Sequence, residues 1–290
     1  MKLWQEYLRP NSISEAVQAL TSSPGQACVI AGGTDLLLDI QQGRHSNVHT
    51  LVDITSIPEL NQLEVRRDLL YIGATVSLNR IASSPLAIEH AQALAEASRL
   101  IGGPQVRNVA TLGGNVAHAL PAADGTIAMM SLDTQVLVAS QENIREVPLQ
   151  KMFLGAGKTA LSTGKELIAG FCIPLRKKNQ ASAFKRIMRS QGIALPIINL
   201  SAWLQREGDR IVDLRIAAGP AGATPRRIAS VEDLLRGNTI KDGLISDAVC
   251  ELLDQIQFRT SPQRATAEYR HHLVKLLLVD TLLEAWDRAG

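Results

Sequence analysis

The hydrophobic pattern changes period several times along the chain. Ile13, Ala16, Val17 and Leu20 recur at helical spacing behind the capping box Ser12-Ile13-Ser14-Glu15, which predicts a short amphipathic helix ended by Pro24-Gly25. An apolar run from Ala27 to Ala31, the turn Gly32-Gly33-Thr34-Asp35 and a second run from Leu36 to Ile40 predict a buried strand, a tight turn and a short helix. A strand from Thr50 to Ile54 completes a small α/β unit. From Leu63 a hairpin is expected around Arg66-Arg67-Asp68, then one helix from Leu86 to Ile101 stopped by Gly102-Gly103-Pro104. A glycine-rich segment from Thr111 to Asp124 leads to a helical stretch and short strands at Gln135–Ala139 and Glu166–Ile173. Beyond the polar run Arg176-Lys177-Lys178-Asn179-Gln180, the runs Ala183–Met188, Leu200–Gln205 and Ile211–Ala217 predict a three-stranded antiparallel sheet. A long helix from about Gln263 to Arg288, with Leu273, Leu276, Leu277, Leu283 and Trp286 on one side, ends the chain. The sum is an α+β chain divided at 1–56, 57–176 and 177–290.

Composition narrows the function classes. With 290 residues, 46 % apolar and 20 % charged, the chain is an ordinary globular protein, and 3 % aromatics make its core aliphatic. Thirty basic and 28 acidic side chains are interspersed for a net charge of +2, with no basic stripe to neutralise a duplex, so nucleic acid is not expected as a partner. The start lacks the apolar segment of a secretory signal, and the uncharged stretch Ala16–Thr34 is broken by Gln, Ser, Pro and Gly, so a cytoplasmic protein without a membrane span is expected. Cys28, Cys172 and Cys250 lie far apart, short of the four thiolates of an iron–sulfur cluster or the close ligands of structural zinc.

The candidate chemistry centres on Gly32-Gly33 and Gly113-Gly114, each read as a turn after residues fit for a strand. Such turns let backbone N–H groups surround an anion such as a pyrophosphate, but each taken alone is equally a tight turn needing positive φ. Neither has the third glycine of G-x-G-x-x-G. Gly155-Ala156-Gly157-Lys158-Thr159 ends like a P-loop, but Met152 stands where its first glycine belongs. His118 stands near the second glycine pair and reads as a loop histidine. The histidines form no H-E-x-x-H pair, and no catalytic residue is assigned.

Taken together, Ala31-Gly32-Gly33-Thr34-Asp35, the run Gln105 to Asn115 (QVRNVATLGGN) and Pro121-Ala122-Ala123-Asp124 resemble the FAD subunit of xanthine dehydrogenase and carbon monoxide dehydrogenase, the medium subunit of the molybdenum hydroxylases. Phe153-Leu154-Gly155, Lys158-Thr159-Ala160-Leu161, Glu166-Leu167-Ile168 through Pro174, and Ala183-Phe184-Lys185 extend that resemblance over almost the whole chain. It implies two α/β subdomains of the vanillyl-alcohol oxidase/PCMH-like type clasping FAD, and a C-terminal domain of three antiparallel strands with helices. It implies FAD contacts at Cys28, Val29, Ile30, Ala31, Gly32, Gly33, Thr34 and Asp35, at Thr111, Leu112, Gly113, Gly114 and Asn115, and at Ile101, Asp124, Ile168 and Lys185, with no metal site.

The physics of those positions is an expectation in its own right. Amides of both loops offset the pyrophosphate charge, Thr34, Asn115 and Asp124 offer hydrogen bonds, and Lys185 favours charge on the reduced ring. The resemblance further implies an oxidoreductase component that takes electrons from a small [2Fe-2S] subunit, beside a large molybdenum-cofactor subunit, and passes them to NAD, oxygen or a quinone. Three departures stand out: Ile101 replaces an aromatic, Leu120 a small polar residue, and Ser190-Gln191-Gly192-Ile193-Ala194 lacks an acidic residue. The rival readings are a self-sufficient flavoenzyme of the same superfamily and an assembly subunit whose flavin site has decayed.

Overall fold

The computed structural model describes residues 3–45, 48–189, 195–262 and 264–290, so the departure expected at 190–194 lies outside the described residues. The first unit runs β1 (Glu6–Leu8), α1 (Ile13–Thr21), β2 (Gln26–Ile30), α2 (Leu36–Gln41) and β3 (Val48–Asp53), with a parallel sheet in the order β1-β3-β2. Ser12 caps α1 by accepting from Glu15 N at 3.1 Å, while the Glu15 carboxylate returns to Asn11 N at 2.8 Å. The predicted stripe Ala16, Val17 and Leu20 is buried, packed with Ala27, Val52 and Ile54 and with Leu167 and Ala169 of the next sheet. β1 was not expected; three exposed residues carry no period.

The second unit contains β4 (Leu63–Arg66), β5 (Leu69–Gly73), α3 (Leu78–Ser83), α4 (Pro85–His90), α5 (Gln92–Leu100), α6 (Pro104–Val109), α7 (Leu112–Ala117), α8 (Asp124–Ser131), β6 (Gln135–Ala139), β7 (Ile144–Pro148), β8 (Phe153–Gly155), β9 (Lys158–Thr159) and β10 (Leu167–Pro174). Five of its seven strands pair antiparallel in the order β4-β5-β10-β6-β7, and β8 pairs with β9. The single helix expected from Leu86 to Ile101 is two, because Ala91 leaves the helical region (φ −139°, ψ 51°). The break is supported from outside: Ser182 Oγ accepts from Ala93 N at 3.1 Å, satisfying an amide at the start of α5. The P-loop look-alike is the β8–β9 hairpin, turned at Gly157 with φ +71° and tied by Gly157 N to Ala119 O at 3.0 Å.

The third unit has β11 (Gln180–Met188), β12 (Pro196–Glu207), β13 (Arg210–Gly219) and β14 (Arg226–Arg227) in one antiparallel sheet, followed by α9 (Ala229–Leu235), α10 (Asp242–Gln255) and α11 (Ala267–Arg288). β14 adds a two-residue fourth strand to the three expected. Thr266, not a residue near Gln263, caps α11. Its buried face is Arg270, Leu273, Val274, Leu277, Leu278, Thr281, Leu282 and Ala285, whereas Leu276 and Leu283 point to solvent. The expected stripe mixed two faces, because leucines surround this helix and their spacing alone selects neither.

Three strands join the third unit to the second: β11, β12 and β13. Phe184 and Ala217 enter the core formed by α5, α8, β5, β6 and β10. Ser201 Oγ lies 2.7 Å from Ser131 Oγ, and all eight residues of α8 are buried beneath the third sheet. No helix among the described residues is long and apolar enough to cross a membrane.

Candidate functional site

The two glycine pairs lie at one place in the fold but differ in construction. Cys28, Val29 and Ile30 end β2, and Ala31 to Asp35 carry the chain into α2 through Gly33, whose φ of +66° requires glycine. The backbone N–H groups from Gly32 to Leu36 find no acceptor among the described residues. Thr34 Oγ1 donates to Asp35 Oδ2 at 3.2 Å, and Asp35 caps α2 without a side-chain bond. Gly32 rests directly on the α6–α7 junction: a Cβ there would stand 2.1 Å from Val109 O and 2.9 Å from Ala110 Cα. Burial pushes the Cys28 thiol above its ordinary value, so it stays protonated and unreactive.

Gly113 and Gly114 are not in a turn after a strand, as expected, but in the first turn of α7, which follows helix α6. Thr111 caps that helix, accepting from Gly114 N at 3.1 Å. Leu112 N donates to Val76 O at 3.2 Å, Gly113 N to Ala74 O at 2.9 Å and Asn115 N to Thr111 O at 3.0 Å. All four amides therefore have protein acceptors, and the expectation that both loops present free amides is met only by the first. The second offers shape. A Cβ on Gly113 would meet Ala74 O at 2.7 Å, but one on Gly114 would meet only Thr111 Oγ1, at 3.3 Å, and Gly114 is exposed.

Around these loops stand the remaining expected residues. Ile101 follows α5, with its carbonyl and that of Gly102 accepting from Arg107 Nη1 at 3.3 and 2.6 Å. Ile168 is buried in β10, beside the register shift between Ile168 and Gly170. Asn115 spends its Oδ1 on Thr126 N and Oγ1, at 3.1 and 3.3 Å, fixing the start of α8. Lys185 stands apart: its Nζ lies 2.5 Å from Glu284 Oε2, on the α11 side of β11. Leu120 is exposed beside Ala119, whose φ is +52°.

Asp124 is almost wholly enclosed and accepts from Arg186 Nη1 at 2.5 Å and Asn199 Nδ2 at 2.6 Å. Burial pushes its carboxyl above the ordinary range, against the pull of the Arg186 charge and the Asn199 amide. Arg186 and Asn199 were not singled out from the sequence. The signal was there in part: neighbouring residues of a strand face opposite sides, so with Lys185 toward α11, Arg186 faces α8 and the end of α5.

A row of unpaired amides at a strand-to-helix loop, next to an uncrowded glycine, suits a bound phosphate or pyrophosphate with an extended body beyond it. Comparison with known proteins agrees with that geometry. Residues 3–176 match the family model described as the FAD binding domain in molybdopterin dehydrogenase, and residues 182–285 match the CO dehydrogenase flavoprotein C-terminal domain. The chain is 30 % identical over 286 residues to a putative xanthine dehydrogenase FAD-binding subunit of Escherichia coli (strain K12), covering 98 % of this chain and 97 % of that one. It is 32 % identical to the nicotine 6-hydroxylase medium subunit of Paenarthrobacter nicotinovorans, covering 97 % of each. Among solved structures, carbon monoxide dehydrogenase from Hydrogenophaga pseudoflava superposes with a TM-score of 0.92 at 26 % identity, covering 99 % of this chain and 98 % of that one. Quinoline 2-oxidoreductase from Pseudomonas putida 86 gives a TM-score of 0.90 at 26 % identity, covering 98 % of each.

Proposed function

Because the chain belongs to the FAD-binding subunit family of the molybdenum hydroxylases, and is an FAD-binding oxidoreductase component, we propose that it is the electron outlet of such an enzyme. In this reading it receives electrons from a small [2Fe-2S] subunit, stands beside a large molybdenum-cofactor subunit, and delivers to an external acceptor such as NAD, oxygen or a quinone. Bound FAD supplies the ability to accept electrons singly and give up two together.

The chain's own residues hold and orient the cofactor. The free amides of Gly32 to Leu36 offset the pyrophosphate charge, and Thr34 adds a hydroxyl. Gly113 lets α7 pack on Ala74, and exposed Gly114 lets the dinucleotide lie close to α7, whose start is fixed by Thr111. Ile101, Asp124 and Ile168 border the flavin end, and Lys185 joins them only by leaving Glu284. In this division the boundaries fall at 56/57 and 176/177, so the flavin lies where the three units meet.

The observation that carries the assignment is Gly114. It lies exposed in the first turn of a helix, and the only atom near a Cβ placed there is the capping hydroxyl Thr111 Oγ1 at 3.3 Å, so no backbone packs against it. That leaves room for a ligand to lie against the helix. The test is to purify the chain, strip it, and titrate FAD by flavin fluorescence. Saturable binding near one FAD per chain, with recovery of partner subunits carrying molybdenum and [2Fe-2S] in native pull-downs, is expected. Apoprotein that folds and leaves FAD fluorescence unchanged would overturn the reading.

A further inference from the structure

Arg186 and Asn199 belong to the third unit, yet their side chains act in the second. Arg186 donates through Nη1 to the Asp124 carboxylate and through Nη2 to the carbonyl of Leu100, and Asn199 Nδ2 donates to Asp124 Oδ1 at 2.6 Å and to Ala122 O at 3.0 Å. Two strands, β11 and β12, therefore grip two separate segments beside the candidate site: the end of α5 leading into Ile101-Gly102-Gly103, and the stretch Pro121 to Asp124 leading into α8. The ion pair is dry, with side chains 3 % and 4 % exposed. Arg186 Nε and Asn199 Oδ1 are also buried and have no hydrogen-bond partner among the described residues.

Stability alone does not account for this arrangement. A buried ion pair is often no better than apolar residues of the same volume, and two orphaned polar atoms add desolvation cost without return. The close approach at Gly219 shows that the position of Asn199 is nonetheless tightly set, because a Cβ there would stand 2.6 Å from Asn199 Oδ1 and 2.7 Å from Pro121 O.

We propose that Arg186 and Asn199 are positioning residues of the FAD site, which fix Asp124 and the Leu100–Gly103 segment so that flavin binding and docking of the C-terminal domain are coupled. This rests on the FAD reading above. Arg186 holds the carboxylate in place and, through the Leu100 carbonyl, sets where Ile101 meets the ring. The third unit becomes a wall of the cofactor site although most of its surface faces away.

The test compares Arg186→Gln, Asp124→Asn and the double variant with the wild-type chain. Readouts are the FAD dissociation constant, the visible circular dichroism of bound flavin and the apoprotein melting curve. The expected result is a loss of FAD affinity of at least tenfold in either single variant and an altered flavin dichroism. The double variant should be no worse than the poorer single, because the pair acts as one unit. Arg186→Lys, which keeps the charge but cannot fork to both partners, should recover part of the affinity and covers the case in which Arg186→Gln fails to fold. A folded Arg186→Gln or Arg186→Lys protein with wild-type affinity and dichroism would overturn the proposal, as would losses that simply add. Wild-type protein that binds no FAD would instead remove the underlying reading, and this inference with it.

Discussion

Alanine at Gly32 and alanine at Gly114 should have different signatures. At Gly32 the new methyl would stand 2.1 Å from Val109 O and 2.6 Å from Val109 C, and both obstacles are backbone, which cannot rotate aside. Ordinary carbon contacts lie near 3.5 Å, so the first loop must move away from the α6–α7 junction by roughly 1 Å. Overpacking of this kind costs about 1–3 kcal/mol, and the rigidity of both partners places Gly32→Ala at the upper end. At Gly114 the nearest atom is Thr111 Oγ1 at 3.3 Å, the residue is exposed, and its backbone is helical. The gain from replacing a helical glycine is offset by the crowding of the Thr111 hydroxyl, so the apoprotein should stay within about 0.5 kcal/mol of wild type.

FAD binding sorts the two causes. If the dinucleotide lies against α7, the Gly114→Ala methyl intrudes on it, and 1–3 kcal/mol of crowding corresponds to an affinity loss of roughly 5- to 150-fold. Gly32→Ala should lose both stability and affinity. Gly243→Ala, in α10 with nothing within 4 Å of the new atom, serves as a control. Urea melts of apoprotein and FAD titrations measure both quantities. A Gly114→Ala protein that binds FAD as tightly as wild type would refute the argument for Gly114. A Gly32→Ala protein within about 0.5 kcal/mol of wild type would refute the packing of the two segments.

Two further outcomes follow from single side chains. Ile101→Phe should tighten FAD binding by roughly 2- to 10-fold, the worth of an aromatic contact, if Ile101 borders the ring; unchanged affinity on titration would place the ring elsewhere. Burial raises the Glu284 carboxyl, but Lys185 and Arg288 outweigh it and carry it below its ordinary value, so its contribution to stability is complete above about pH 4.3 and is lost as pH falls through the folded value. Glu284→Gln should lower the melting temperature at pH 7 and flatten the acid limb of the profile; an unchanged acid limb counts against that pair.

Elements with a strong period were legible in the sequence, and elements fixed by tertiary contact were not. The capping box at Ser12 and the buried stripe Ala16, Val17 and Leu20 are local, and the structure shows them as read. The break at Ala91 was hidden because Gln92 to Leu100 continues the apolar pattern, and the atom that satisfies the amide after the break, Ser182 Oγ, lies 89 residues away. Gly113-Gly114 was read as a turn because two glycines usually break a helix. The cap from Thr111 and the acceptors from Ala74 and Val76 override that preference. Motif resemblance found the family and reached the third unit at Lys185 but not at Arg186 and Asn199, whose contacts with Asp124 form only when the β11–β12 pair packs over α8.

Three local features converge in one region. The amides of Gly32 to Leu36 lack acceptors among the described residues, Gly114 is an exposed glycine in the first turn of a helix with only the Thr111 hydroxyl near its missing Cβ, and the Asp124–Arg186 pair is buried with two orphaned atoms beside it. Each alone has a bland explanation: water for the amides, chance for the glycine, a neutral exchange for the ion pair. Orphaned buried atoms occur elsewhere too, Arg270 Nε among them, but here they stand with the other two features, and departures from local consistency often mark places where something else is bound or held. The three also differ in kind, being donors for an anion, room for a body and a fixed wall, and a dinucleotide with a flat ring needs all three at once. Their coincidence therefore supports the proposed site more strongly than any glycine motif, and under that proposal the two Gly-Gly pairs would serve differently: the first by charge complementarity, the second by clearance at Gly114.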